Sequence, residues 1–232
     1  AYHQAAQMIK GDVLEIGCGV GRGLAVILEK SGTYTAIDKN EKLIDKLQIE
    51  FPNHRFITHH IPPLESLEDN SFDYVITFQV IEHIENDDLF VKEIHRVLKP
   101  NGKALFTTPN IKQTLSRNPW HIREYTADGL ETLMKKYFSK LEKYGVDGNE
   151  KVMQYHEENR KSVAKFRKFD IFNLEKHLPR WALKIPYDLL NRFNREKLMQ
   201  NNNSLANQIS HLDYFLSNNP DKSLDLFYIV EK

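Results

Sequence analysis

The stretch Val13-Leu14-Glu15-Ile16-Gly17-Cys18-Gly19-Val20-Gly21-Arg22, continued by Leu24-Ala25-Val26-Ile27-Leu28, decides the fold of this chain. An apolar run ending at Ile16 predicts a strand, the alternating glycines a tight loop, and Leu24 to Leu28 a helix stopped near Gly32. A second strand, Tyr34 to Ile37, ends at Asp38. Glycines between a strand and a helix let the backbone approach a ligand more closely than any residue with a Cβ permits.

Outward from this unit the same alternation repeats. Tyr2 to Ile9 suits a short helix; Glu41 to Phe51 has helical spacing at Leu43, Ile44, Leu47 and Phe51 and gives way to a strand at Arg55 to Thr58. Phe72 to Phe78 is a continuous apolar strand, the kind a parallel sheet covers on both faces. A helix over Glu85 to Leu98, a strand over Lys103 to Thr108, a helix over Thr126 to Tyr137 and strands at Phe138 to Val146 and Leu224 to Val230 complete the pattern. The expected fold is α/β: a doubly wound, mostly parallel sheet with helices on both faces and ligands at the carboxyl ends of its strands. Residues 1–150 and 220–232 form one domain, and 151–219 a helical insertion. Between Lys151 and Met199 the insertion holds 12 lysines and arginines against 6 acids. Its stripe Trp181, Ile185, Leu189 and Phe193 is expected to pack against the domain, with a lid, a dimer contact or a basic surface for acidic polymer or anionic lipid as the other readings.

Composition narrows the function. Lysine plus arginine equals aspartate plus glutamate at 32 each in 232 residues, so there is no global footprint for nucleic acid. One cysteine, Cys18, forms no intrachain disulfide, no apolar run approaches a membrane span, and the first residues lack signal-peptide character; the expected location is the cytoplasm. None of the 10 histidines has a spacing such as H-x-x-x-H or a supporting cysteine, and the neighbours His59 and His60 diverge on a strand, so no metal centre is expected.

The loop itself separates two cofactor classes. A pyrophosphate-binding loop reads G-x-G-x-x-G, but Arg22 stands three after Gly19. The pattern is G-x-G-x-G with Glu15 two before Gly17, and a carboxylate there suits a cofactor bearing an ammonium group. Asp38 can accept from both hydroxyls of a ribose, a need common to nicotinamide and S-adenosylmethionine enzymes.

Val13 to Gly21 resembles the first motif of class I S-adenosylmethionine-dependent methyltransferases, and Tyr34 to Asp38 the second. Asn70-Ser71-Phe72-Asp73-Tyr74-Val75, Val80-Ile81-Glu82-His83-Ile84 and Arg96-Val97-Leu98-Lys99-Pro100-Asn101-Gly102 are similar to later motifs, in the family's order. The resemblance spans roughly residues 2 to 146 and resumes at Leu224. It implies a seven-stranded sheet with the last strand antiparallel, S-adenosylmethionine as methyl donor and S-adenosylhomocysteine as product. By the same resemblance Glu15, Gly17, Cys18, Gly19 and Gly21 surround the methionine moiety, Asp38 meets the ribose with Lys39 beside it, and Gln79 faces the cofactor. His60-Ile61 stands where the family often has an acid for the adenine amine. Tyr2 and His3 belong to a helix that covers the methionine end.

The donor methyl is already activated, so alignment supplies much of the rate, and a base is needed only where the acceptor loses a proton. His83 is the candidate base. Past the fifth strand, Asn110 and Trp120-His121-Ile122-Arg123-Glu124-Tyr125 gather an imidazole, a guanidinium and a phenol. Arg123 and Asn110 are candidates to bind an acceptor, His121 and Tyr125 to orient or deprotonate a hydroxyl; the structural alternative is a loop pinned by Arg123 and Glu124 around a buried Trp120. The expected acceptor is a small molecule or glycan methylated at oxygen. The rivals are a nicotinamide-dependent sugar-modifying enzyme and a non-catalytic S-adenosylmethionine-binding module.

Overall fold

The structure, a computed structural model, describes residues 1–167, 178–201 and 207–232, with side chains left out at 166–167 and 193–201. Strands β1 (Asp12–Ile16), β2 (Thr33–Asp38), β3 (Arg55–Thr58), β4 (Phe72–Phe78) and β5 (Leu98–Pro109) run parallel in the order β3-β2-β1-β4-β5. Beyond β5 come β8 (Asp225–Glu231), β6 (Lys140–Gly148) and β7 (Tyr214–Ser217). β8 is antiparallel to both β5 and β6, and β7 is antiparallel to β6. The doubly wound, mostly parallel sheet is therefore present with eight strands rather than seven. The additional one, β7, is a short edge strand that its sequence, Tyr-Phe-Leu-Ser among loop residues, signals too weakly to be found by periodicity.

Alternation along the strands builds two apolar layers. Leu14, Phe106 and Tyr228 enter the layer with Phe90 and Ile94, whereas Val13, Leu105 and Phe227 enter the opposite one with Ile27 and Ile44. The helices are α1 (Tyr2–Ala5), α2 (Leu24–Leu28), α3 (Glu41–Glu50), α4 (Asp87–Val97), α5 (Ala127–Met134), α6 (Glu150–Arg167) and α7 (Arg180–Asn201). Asn40, Asn86 and Thr126 cap α3, α4 and α5 by accepting from Leu43, Leu89 and Gly129 N–H groups, each cap contributing about 1 kcal/mol. The opening helix is shorter than its spacing suggested, ending at Ala5.

The apolar stripe of the insertion departs from expectation. Trp181, Ile185 and Leu189 on α7 are 77%, 73% and 64% exposed among the described residues, and the side chain of Phe193 lies outside them. Spacing locates a stripe on one face of a helix but carries no information about what covers it. The inner side of α7 holds the loop after β5 instead: Arg180 donates to the Ile122 carbonyl at 2.6 Å, Trp120 donates to Asp188 at 3.0 Å, and Lys184 sits 4.2 Å over the Trp120 ring. Trp120 is accordingly half-exposed rather than buried. Among the described residues no helix is long and apolar enough to cross a membrane.

Candidate active site

At the carboxyl edge of the parallel strands the glycine loop turns back on itself. Gly17 has φ +79°, and a Cβ there would come within 2.4 Å of Val80; Gly19 has φ +53° with open space where its Cβ would point. Asp38, at the end of β2, accepts from Gly19 N–H at 2.9 Å and, through its other oxygen, from Asn40 N–H at 2.9 Å. The carboxylate thereby holds the loop tip against the second strand. Glu15 is 2% exposed beneath the loop; it accepts from the Tyr2 hydroxyl at 2.6 Å and from the Tyr34 hydroxyl. Burial raises its pKa, and the hydrogen bonds from the two phenols oppose that rise. Burial also pushes the Cys18 thiol up to about 12, which leaves it a packing residue and not a nucleophile.

A cleft of about 780 Å³ opens over this loop, with Gly17, Cys18 and Gly19 on one side and Tyr2, His3, Gln79, Tyr214 and Phe215 around it. Gln79 holds φ +59°, a conformation that costs about 1 kcal/mol or more for a residue with a side chain, and its N–H donates to Thr107 O at 2.9 Å. Asp225 lies on the cleft floor with Gln79 hydrogen-bonded to its carboxylate, and burial raises its pKa to about 6. Sequence reading missed Asp225. The signal was topological: an antiparallel strand begins where its parallel neighbours end, and Asp225 pairs with Pro109, the last residue of β5.

Of the other positions expected near the cofactor, Gly21 packs toward Leu47 of α3, Lys39 and His60 are exposed, and Ile61 packs on the core; none of these lines the cleft.

The segment after β5 is drawn to the turn after β4 by backbone bonds, Ile122 N–H to Glu82 O at 2.7 Å among them. His83 is partly exposed, its Nδ1 2.9 Å from the Trp120 carbonyl, and burial lowers its pKa. His121 Nδ1 lies 2.6 Å from Glu124 Oε1, and the two imidazole rings meet edge to face at 4.9 Å. Glu82, buried and bonded by Thr108 at 3.0 Å, has its pKa raised to about 7 by desolvation. Spacing along the chain predicted no metal centre, yet the fold brings these three side chains, two imidazoles and a carboxylate, together. Arg123 pairs with Asp87, not Glu124, and the same carboxylate accepts from Tyr125 at 2.6 Å. Asn110, fully buried, donates to the carbonyls of Pro220, Asp221 and Ser223 at 2.8 to 3.3 Å. Arg123 and Tyr125 thus hold the loop against the first turn of α4, and Asn110 ties the end of β5 to the residues leading into β8.

Residues 14–106 match the family model described as a methyltransferase domain. Over 129 residues the chain is 36% identical to a probable S-adenosylmethionine-dependent methyltransferase of Mycobacterium tuberculosis, covering 53% of this chain and 46% of that one. Residues 14–106 are thus a methyltransferase domain similar to that of S-adenosylmethionine-dependent methyltransferases. A ubiquinone biosynthesis O-methyltransferase of Rickettsia typhi is 33% identical to it over 103 residues, 44% of this chain and 42% of that protein. The chain thus spans about half the length of the curated relatives it matches. A solved S-adenosylmethionine-dependent methyltransferase of Thermotoga maritima shares the fold over 100% of this chain and 87% of its own, with a TM-score of 0.60 at 14% identity. Between the two cofactor classes the sequence left, the methyltransferase domain takes S-adenosylmethionine, with S-adenosylhomocysteine as product. The residues fit that ligand: the void beside Gly19, which any larger residue would enter, faces a cleft lined by apolar side chains such as Phe78 and Leu216 together with one acid, Asp225.

Proposed function

We propose that this chain transfers the methyl group of S-adenosylmethionine to a hydroxyl oxygen of a small-molecule or glycan acceptor. The observation that carries this reading is the single cleft joining Gly17, Cys18 and Gly19 to Gln79 and Asp225, of a volume suited to a cofactor and a small acceptor together. Bound S-adenosylmethionine supplies an electrophilic methyl on a sulfonium. The loop backbone at Gly17 to Gly19 would hold its methionine moiety, with Gly21 shaping the loop and Glu15 supporting it from beneath through Tyr2 and Tyr34. Asp38 would meet the ribose with Lys39 beside it, and His60 and Ile61 would flank the adenine. Gln79 and Asp225 orient the polar end of the ligands.

Holding the two reactants in line is the main contribution, worth up to about 7 to 11 kcal/mol in favourable systems. Proton removal falls to His83, on the turn Ile81–His83 next to Gln79, to which the acceptor's hydroxyl would reach from the cleft. Its Nδ1 faces a carbonyl, which can only accept, so the proton sits on Nδ1 and Nε2 keeps a lone pair. Its lowered pKa keeps it neutral near pH 7. His121 positions that ring edge-on, and Arg123, Tyr125 and Asn110 act through the segment they brace rather than by direct contact. Helix α7, tied through Arg180 and Asp188 to the same segment, serves as a cover on the acceptor side. A single cysteine suits a protein that works in the reducing cytoplasm.

The Rickettsia relative, a ubiquinone biosynthesis O-methyltransferase, supports oxygen as the target. The test is turnover with matched acceptors that differ only in hydroxyl or amine, read by mass spectrometry. Methyl gain on the hydroxyl series is expected; gain confined to the amines would overturn the oxygen assignment.

A further inference from the structure

Outside the lining of the glycine-loop cleft, three side chains of metal-ligand type converge from segments far apart in sequence. Glu82 and His83 come from the 3-10 turn Ile81–His83 after β4, and His121 from the loop after β5. One ligand atom from each lies within 4.8 Å of the other two, with Glu82 Oε1 and His83 Nε2 4.0 Å apart. An ion placed among atoms so spaced needs only small side-chain movements to reach coordination distances of about 2.0 to 2.2 Å.

The surrounding hydrogen bonds present these atoms as ligands. The Trp120 carbonyl at 2.9 Å fixes the proton of His83 on Nδ1 and leaves Nε2 a lone pair. Glu124, itself held by the Thr114 hydroxyl, does the same to His121 Nδ1 at 2.6 Å. His121 Nε2 is then an acceptor, met by the Asn118 side-chain amide at 2.8 Å. Thr108 anchors Glu82 through Oε2, so that Oε1 is the oxygen on the His83 side. Glu82 and His83 are therefore clamped at one polar atom and offer the other, whereas His121 Nε2 exchanges its bond from Asn118 for the ion. A carbonyl or carboxylate behind each imidazole is the arrangement that orients histidine ligands in metal sites.

We propose that Glu82, His83 and His121 bind a divalent first-row transition-metal cation. Two imidazoles and one carboxylate select such an ion over Mg2+ or Ca2+, whose sites are built from oxygen. The partly exposed His83 leaves the remaining positions open toward solvent. The cluster escapes any sequence motif because His121 is supplied by a different loop.

The test uses the whole chain after chelator treatment and dialysis. Zn2+ alone is titrated by calorimetry, and Co2+ alone by its visible absorption, in the wild type, His83→Ala, His121→Ala and the control His211→Ala, which alters an exposed histidine stacked on His3. One equivalent is expected for the wild type and the control, with binding at least about tenfold weaker in each ligand variant. Zn2+ should also raise the Tm of the wild type but not of His121→Ala, which separates ligand loss from misfolding. Absence of stoichiometric binding, or equal binding in all four proteins, would overturn the proposal. None of the three readouts needs an acceptor, so the result stands apart from the proposed function; an ion on His83 Nε2 takes the lone pair that proton removal would use, and the two roles belong to different states of the site.

Discussion

Gly17 and Gly19 differ in what a methyl group would meet, and that difference separates fold from ligand. At Gly17 a Cβ would strike Val80 in a left-handed backbone, so Gly17→Ala should lower stability by about 1 to 3 kcal/mol. At Gly19 the Cβ would enter open space, so Gly19→Ala carries only the milder cost of its positive φ, about 1 kcal/mol. It should nevertheless weaken S-adenosylhomocysteine binding more than Gly17→Ala does relative to its effect on Tm. Paired calorimetry and thermal melts check this; the opposite ranking would mean that the void is not the ligand's.

Asp225 allows a pH test at the same scale. Its folded pKa of about 6 is raised above the ordinary aspartate value, so its contribution to stability is fully present below about pH 4 and is lost as pH rises through about 6. The loss amounts to up to about 3 kcal/mol. Asp225→Asn, which cannot ionise, should therefore be the more stable protein at pH 7 and lose that advantage below about pH 4. Urea denaturation at the two pH values measures it, and a difference independent of pH would assign the effect to packing.

Among the elements, the parallel strands were legible because each is an apolar run or alternation bounded by turn residues. Arg55 to Thr58 and Phe72 to Phe78 occur where the pattern places them. Edge strand β7 was not legible, since four residues carry too little period. Its position depends on a polar knot: Asp213 accepts from Asn149 at 2.7 Å and from Ser210 N–H at 2.8 Å and pairs with Lys151 at 2.6 Å. That pairing holds the Asp213 carboxyl well below the usual carboxylate range, so its contribution is present above about pH 4 and fades as pH falls below it. Asp213→Ala should raise hydrogen exchange in residues 214–217 selectively, leaving β1 to β5 protected. Uniform loss of protection would show instead that β7 is part of the cooperative core.

On the scale of the molecule, the site was legible wherever one segment carries it and illegible wherever the fold assembles it. Glu15, the glycines and Asp38 lie within one strand-loop-helix-strand unit, so sequence alone could join them. Asp225 enters through an antiparallel strand, and the Glu82, His83 and His121 cluster through a loop folded back on a turn. Neither leaves a spacing to read. The exposed stripe on α7 was misplaced for the same reason, because burial belongs to the assembled molecule and not to a helix.

The central claim is that the glycine-loop cleft holds S-adenosylmethionine and not a dinucleotide. Calorimetry of the whole chain with S-adenosylhomocysteine, with NAD, and again after Asp38→Ala addresses it most directly. The account predicts saturable binding of S-adenosylhomocysteine, none of NAD, and a loss on Asp38→Ala of about 1 to 3 kcal/mol, the value of a charge-assisted hydrogen bond. Tight NAD binding without S-adenosylhomocysteine binding would contradict it.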